Sequence, residues 1–257
     1  YTRLTLESLL NTVDFTKHKL FISDNNSCHA TQELYRDFKN TFYKEYPFKE
    51  YRDQLSIWNN GTNLVTAGAI NLAWKLRHPG ENAIKMDNDV VIHSNDWIGL
   101  MEEAISRDKR LGIVGLKRND CWENTNHPDP FYKSQLIQLP HKPGQHFIAV
   151  EEVHHVMGTC QMYSSALLDR IGYLYQPRLY GFDDALAAVR CRHAGFYSAF
   201  LCNIYIDHID AGDTPYQKWK EGHASQQWNE YHQTIGDYMS GKKSIFYNPF
   251  INESKTN

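Results

Sequence analysis

The chain predicts an α/β fold with a mixed or parallel sheet covered by helices on both faces. Three observations carry this. Short apolar runs alternate with segments of helical periodicity through the first half. Loop signals separate them: Asp24-Asn25-Asn26-Ser27, Asn59-Asn60-Gly61 and His78-Pro79-Gly80. At 257 residues with 41% hydrophobic and 22% charged residues, the chain is long enough for one large core and has an ordinary globular composition.

The elements follow in order. Leu4, Leu6, Leu9 and Leu10 mark one face of a first helix. Residues 19–23 read as a strand that ends at the Asp24 loop. Leu34, Phe38 and Phe42 recur at helical spacing, and residues 54–58 form the next strand. A helix over 63–77 runs to His78-Pro79-Gly80. Next comes an apolar strand carrying Asp87-Asn88-Asp89. Ser94 is placed to cap a helix whose inner face is Trp97, Leu100, Met101, Ala104 and Ile105. A strand over 111–116 closes the first half.

The second half changes character. Residues 118–147 are rich in Pro, Asn, His and Lys and read as a long excursion. Residues 153–163 are strand-like, and a short helix over 165–171 stops at Gly172. A longer helix over 183–194 stops at Gly195, and residues 196–206 form one bent strand or a strand pair. From Thr214 the chain is helical and rich in polar and aromatic residues. No internal repeat is visible.

Composition excludes several function classes. A net charge of −3 provides no basic field for nucleic acid or anionic membrane. No apolar run is long enough to span a bilayer, and no secretory leader is visible. Five scattered cysteines without a Cys-x-x-Cys pair point to a reduced, cytoplasmic chain without a structural zinc. The aromatic C-terminal segment is a candidate for peripheral contact at the inner membrane face or for a homo-oligomer contact.

The chemistry concentrates in Asp87 and Asp89. Acids at i and i+2 on a strand share a face, and two like charges held that close call for a cation. Hard oxygen ligands suit Mg²⁺ or Mn²⁺, which commonly reaches phosphate through one or two carboxylates. A solvated strand-end turn would carry the same pair, so the surrounding motifs decide.

Those motifs stand in a specific order. Asn60-Gly61 leads through Ala67, Asn71 and Ala73 into the Asp87-x-Asp89 segment. Gly158, Leu168, Ile171, Gly172, Tyr180, Gly181 and Phe182 then lead to Asp183-Asp184, followed by Arg190, Ala194 and Gly195. Over roughly residues 2–210 this resembles the GT-A glycosyltransferases, most closely the inverting family 2. The resemblance implies a Rossmann-like nucleotide-sugar-binding domain over 1–210 and a C-terminal helical extension over 211–257. The family's first strand, with its nucleotide loop, is expected to be absent, because Tyr1-Thr2-Arg3 matches the helix that follows it. The family's Glu-Asp pair is Asp183-Asp184 here, one methylene shorter at the first position.

By resemblance, Asp87, Asp89 and His208 hold the metal, while Asp24, Asn60 and Asp87 contact the nucleotide. Asp24 would accept a pyrimidine N–H, favouring a UDP- or dTDP-sugar donor. One of Asp183 and Asp184 would take the acceptor's proton, with Asp184 favoured by family position. A capping role for the pair is compatible with this, since a helix N-terminus favours the ionised form. Lys218 and Lys220, in the segment 209–222 after the metal histidine, would offset phosphate charge and close over the donor. The acceptor would be a hydroxyl of a glycan or of a lipid-linked carrier. His154-His155 is not expected to share a metal, because adjacent strand residues face opposite ways. The residues 216–228 aromatics are expected in helix packing or an interface. Two other classes remain open: a non-catalytic sugar-nucleotide-binding scaffold of this fold, and a haloacid-dehalogenase-like phosphatase using Asp87-x-Asp89.

Overall fold

The computed structural model describes residues 1–121, 134–210 and 215–251. The helices are α1 (Thr2–Thr12), α2 (His29–Glu45), α3 (Val65–Trp74), α4 (Trp97–Arg107), α5 (Ser165–Ile171), α6 (Asp183–His193) and α7 (Pro215–Met239). The strands are β1 (Leu20–Asp24), β2 (Leu55–Asn59), β3 (Ala83–Met86), β4 (Val90–Ile92), β5 (Leu111–Arg118), β6 (Gln135–Gln138), β7 (Ala149–Val153), β8 (Cys160–Tyr163) and β9 (Tyr197–His208).

β1 and β2 pair in parallel as a separate two-stranded sheet. The other strands form a mixed sheet in the order β3-β8-β5-β9-β7-β6, with β4 added to the far end of β9. Among the described residues, only the β5–β9 pairing in it is parallel. Alternation along β5 shows why both faces are covered. Val114 and Leu116 point into a core built with Leu6, Leu9, Phe42, Trp97 and Met101 from α1, α2 and α4. Ile113 points into a second core with Trp74, Leu167, Ile171 and Ala187 from α3, α5 and α6.

Local signals explain several boundaries. Ser164 caps α5 by accepting from the Leu167 N–H, and Gly172 ends it with a left-handed φ of 71°. The cap of α4 is Asp96 at φ 59°, two residues beyond Ser94, so the expected start is corrected. The apolar strand expected to end at the acids is β3, and after a turn over the acids the next apolar run is a separate strand, because β3 pairs with β8 while β4 pairs with β9. The expected strand over 153–163 is likewise divided, leaving residues 154–159 as a loop. The excursion holds β6, and its residues 122–133 lie outside the described part.

The C-terminal segment is knitted into the body. Tyr231 and Tyr238 of α7 pack on Leu186 and Val189 of α6, whereas Trp219 and Trp228 stay partly exposed. Arg190, fully buried, donates to the carbonyls of Ile245 (2.7 Å), Tyr173 (2.8 Å) and Ile171. Tyr247 bonds the chain on either side of Gly172. No helix among the described residues is long and apolar enough to cross a membrane.

Candidate active site

Strand register builds the first half of the site. β4 pairs with β9 so that Val90 lies opposite His208, and the Ile209 N–H donates to the Asp89 carbonyl at 2.8 Å. This sets the Asp89 carboxylate 3.4 Å from His208 Nε2. Asp210 completes a trio whose ligand atoms lie within 4.8 Å of one another. Asp89 Oδ1 is buried and has no hydrogen-bond partner. Two carboxylates and one imidazole, with one buried carboxylate oxygen lacking a hydrogen-bond partner, fit a divalent cation such as Mn²⁺ or Mg²⁺. Asp210 also pairs with Lys220 at 2.8 Å.

Asp87, expected to share the cation with Asp89, is not in this trio. The chain turns between the two acids, so the shared face of an extended strand does not apply. Asp87 Oδ1 lies instead 3.1 Å from the ammonium of Lys85, whose side chain is 4% exposed. The same ammonium donates to the Gly158 carbonyl and lies 3.9 Å from Asp183 Oδ2. Burial works to lower the pKa of Lys85, but the surrounding carboxylates of Asp87, Asp183 and Asp184 outweigh this, raise it and favour the charged form.

The second half is the start of α6. Gly181 and Phe182 are both left-handed, at φ 78° and 66°, and turn the chain into the helix so that Asp183 is buried. Phe182 stacks on Tyr231 of α7 with centroids 4.4 Å apart, which helps hold a conformation unfavourable for a bulky residue. The two acids have opposite surroundings. Burial pushes Asp183 up to about 6, against the pull of Lys85 and with the push of Asp184, and its Oδ2 has no hydrogen-bond partner. Burial also works to raise Asp184, but His155, Lys85 and backbone donors hold it below the usual carboxylate range. Asp184 Oδ2 accepts from the Gly158 N–H at 2.8 Å and lies 3.1 Å from His155 Nε2; Oδ1 accepts from its neighbour, the Ala185 N–H. Burial would lower His155, and the Asp184 carboxylate reverses this and raises it.

The candidate nucleotide end is formed by the β1 and β2 termini. Asp24 is buried, and both its oxygens accept from the Ser27 N–H, at 3.2 and 3.3 Å. Asn60 donates to Ser23 Oγ and Asn25 Oδ1, tying the two strand ends together. Behind them α3 is held to the loop before α6. Asn71 exchanges two 2.9 Å bonds with the backbone of Leu174, and Gln176 accepts from the Ala67 N–H. Lys218 is exposed, Lys220 is on Asp210, and residues 211–214 of the expected closing segment lie outside the described part.

Four residues of the site were not singled out from sequence as site residues. Asp210 carried a signal, two positions beyond His208. Lys85 carried a fainter one, as a charge inside an apolar strand. His155 carried one only as half of the His154-His155 pair, set aside as a metal site, and the packing role of Gly158 carried none, because their partner Asp184 lies across a loop.

No protein-family model matches the chain, and no curated protein matches it. Solved structures do. The mannosyltransferase PcManGT from Pyrobaculum calidifontis, in complex with GDP-Man and Mn²⁺, is similar at 17% identity and a TM-score of 0.60, over 84% of this chain and 54% of that one. S. aureus TarS residues 1–349, in complex with UDP-GlcNAc, is similar at 17% identity and a TM-score of 0.54, over 83% and 58%. GalNAc-T7, with UDP, GalNAc and Mn²⁺, is similar at 12% identity and a TM-score of 0.56, over 80% and 40%. The chain thus spans about half the length of these proteins. The likeness establishes the fold: it is that of the GT-A glycosyltransferases, as the sequence resemblance implies.

Proposed function

We propose that the chain is the catalytic domain of a glycosyltransferase that moves a sugar from a nucleoside-diphosphate donor to an acceptor hydroxyl with inversion. The observation that carries this reading is the meeting, on a GT-A fold, of the Asp89–His208–Asp210 trio with the Asp183–Asp184 helix start. The phosphatase alternative has no support in this fold, and the paired carboxylate sites speak against a mere scaffold.

Asp89, His208 and Asp210 would hold the divalent cation. When bound there, it would offset the charge that develops on the departing diphosphate. Asp87, the partner of Lys85, is assigned to the donor. Asp24 and Asn60 are assigned to the nucleotide, with Asp24 accepting a pyrimidine N–H, which favours a UDP- or dTDP-sugar. Lys218 and Lys220 are assigned to the diphosphate end.

Asp184 is assigned as the base. It is more exposed than Asp183, at 21% against 8% of the side chain. It is also the ionised member of the pair, the form in which a base must start. Its lowered pKa makes it a weaker base than an ordinary carboxylate, and in this reading it accepts the acceptor's proton as the hydroxyl attacks the anomeric carbon from the side opposite the leaving group. His155, with Nε2 3.1 Å from Oδ2, is assigned to steady that carboxylate. Asp183 supports the helix start.

A panel of UDP-, dTDP- and GDP-sugars with Mn²⁺ tests the reading by nucleotide release with and without acceptors. Slow hydrolysis of one pyrimidine donor is expected. Asp184→Asn should cut kcat by at least 100-fold and leave donor affinity within threefold. Asp89→Asn should abolish Mn²⁺-dependent UDP binding. Binding of UDP with equal affinity in chelator and in Mn²⁺ would refute the metal assignment, and full turnover by Asp184→Asn would refute the base.

A further inference from the structure

Lys85 touches both halves of the site. It leaves strand β3 two residues before the turn, with its side chain 4% exposed. An ammonium has three donors, and each has a direction here. One goes to the Gly158 carbonyl, one faces Asp87 Oδ1 at 3.1 Å, and Asp183 Oδ2 lies 3.9 Å away with no hydrogen-bond partner. The position is built for the charge. A Cβ on residue 158 would lie 2.4 Å from Nζ, and the chain has glycine there. A lone buried ammonium is costly, so a lysine at this place is held by its specific partners rather than by packing alone.

The geometry points to Lys85 as a positioning residue: its ammonium locks the Asp87–Asp89 turn to the start of α6 and so fixes the separation between the cation side and the acid side. What that separation serves rests on the transferase reading above. There, donor and base must meet within a near-attack geometry, and a misplacement of about 1 Å costs roughly 100-fold in rate.

The test compares wild type, Lys85→Met and Lys85→Met/Asp183→Asn. Methionine keeps the length of the side chain and removes every tie. The second variant also removes a carboxylate left facing the emptied place, so it folds where the first fails. Backbone hydrogen exchange is followed at 87–89 and at 182–186, with the β5 core at 111–116 as internal reference. Exchange is expected to rise at least tenfold at both segments and to stay unchanged at 111–116. Mn²⁺ affinity, measured by calorimetry without nucleotide, should stay within threefold or tighten, since Asp89, His208 and Asp210 are untouched. With a donor that the wild type turns over, kcat should fall by about 100-fold and donor KM stay within threefold.

Unchanged exchange at either segment in the folded double variant overturns the proposal and leaves Lys85 as a space-filler. A uniform rise that includes 111–116 also overturns it, by showing a general loss of stability. If wild type turns over no nucleotide sugar, the transferase reading fails, and the exchange pattern still decides the role of Lys85.

Discussion

Gly158→Ala is the smallest change that tests the centre of the site. The added Cβ would lie 2.4 Å from Lys85 Nζ and 2.9 Å from Asp184 Oδ2. The first contact is roughly 1 Å inside ordinary van der Waals range, and overpacking of this kind costs about 1–3 kcal/mol. The lysine tip is flexible, but it cannot withdraw without leaving the Gly158 carbonyl and Asp87. Each charged hydrogen bond lost adds about 1.5–3 kcal/mol. With one of the two lost, the expected destabilisation is about 2.5–6 kcal/mol, a fall in Tm of roughly 10 °C for a chain of this size. Urea unfolding measures it, with Gly222→Ala as control. Gly222 lies inside α7, where a Cβ meets open space, and alanine there should be neutral or stabilising by up to about 1 kcal/mol. A Gly158→Ala protein within about 0.5 kcal/mol of wild type would refute the tight cradle around Lys85.

Arg190→Met should destabilise the chain by about 3–5 kcal/mol in urea unfolding, because three carbonyls lose a buried charged donor; a change under about 1 kcal/mol would mean that water replaces it. Asp183→Asn should change the pH dependence of stability. A carboxyl raised in the folded state from 3.8 to about 6 contributes stability that is fully present below 3.8 and is lost as pH rises through about 6. The variant should therefore be more stable than wild type above pH 6, by at most about 3 kcal/mol, with the difference vanishing near pH 4 in thermal melts. A difference that does not vary with pH would show that Asp183 is not the buried, proton-holding member of the pair.

Much of the scaffold was legible because its signals are local. The short helix at 165–171 is bounded by a serine cap and a left-handed glycine, both visible as sequence punctuation. The α6 start at Asp183 follows Gly181, whose freedom to take a positive φ makes the turn. The end of the strand at Asp87-Asn88-Asp89 was legible, since apolar runs flank the acids; that β8 and β9, each more than 70 residues away, claim the two sides separately was not. The site shows the same division. Asp89 and His208, Asp183 and Asp184 carry recognisable spacing, but the partner of Asp87 is an inward-facing lysine whose one mark in the sequence is a charge inside an apolar strand. The Lys85 contacts to Gly158 and Asp183 span 73 and 98 residues, counted as 158 − 85 and 183 − 85.

Asp183 and Asp184 are chain neighbours in the same first turn of one helix, and the helix dipole favours both as carboxylates. Their opposite shifts therefore come from what surrounds each oxygen. Asp184 collects the Gly158 and Ala185 N–H groups and the His155 ring. Asp183 has a cation at 3.9 Å and an oxygen with no donor. Gly158 takes part on both sides: its N–H donates to Asp184, and its carbonyl holds the ammonium that faces Asp87 and Asp183. The absence of a side chain at 158 lets both contacts form in one place. The loop that brings Gly158 here connects β7 to β8, and β8 is the strand that pairs with β3 and carries Lys85 into register. The charge state of each acid at the start of α6 is thus set by sheet register as much as by the helix that bears them.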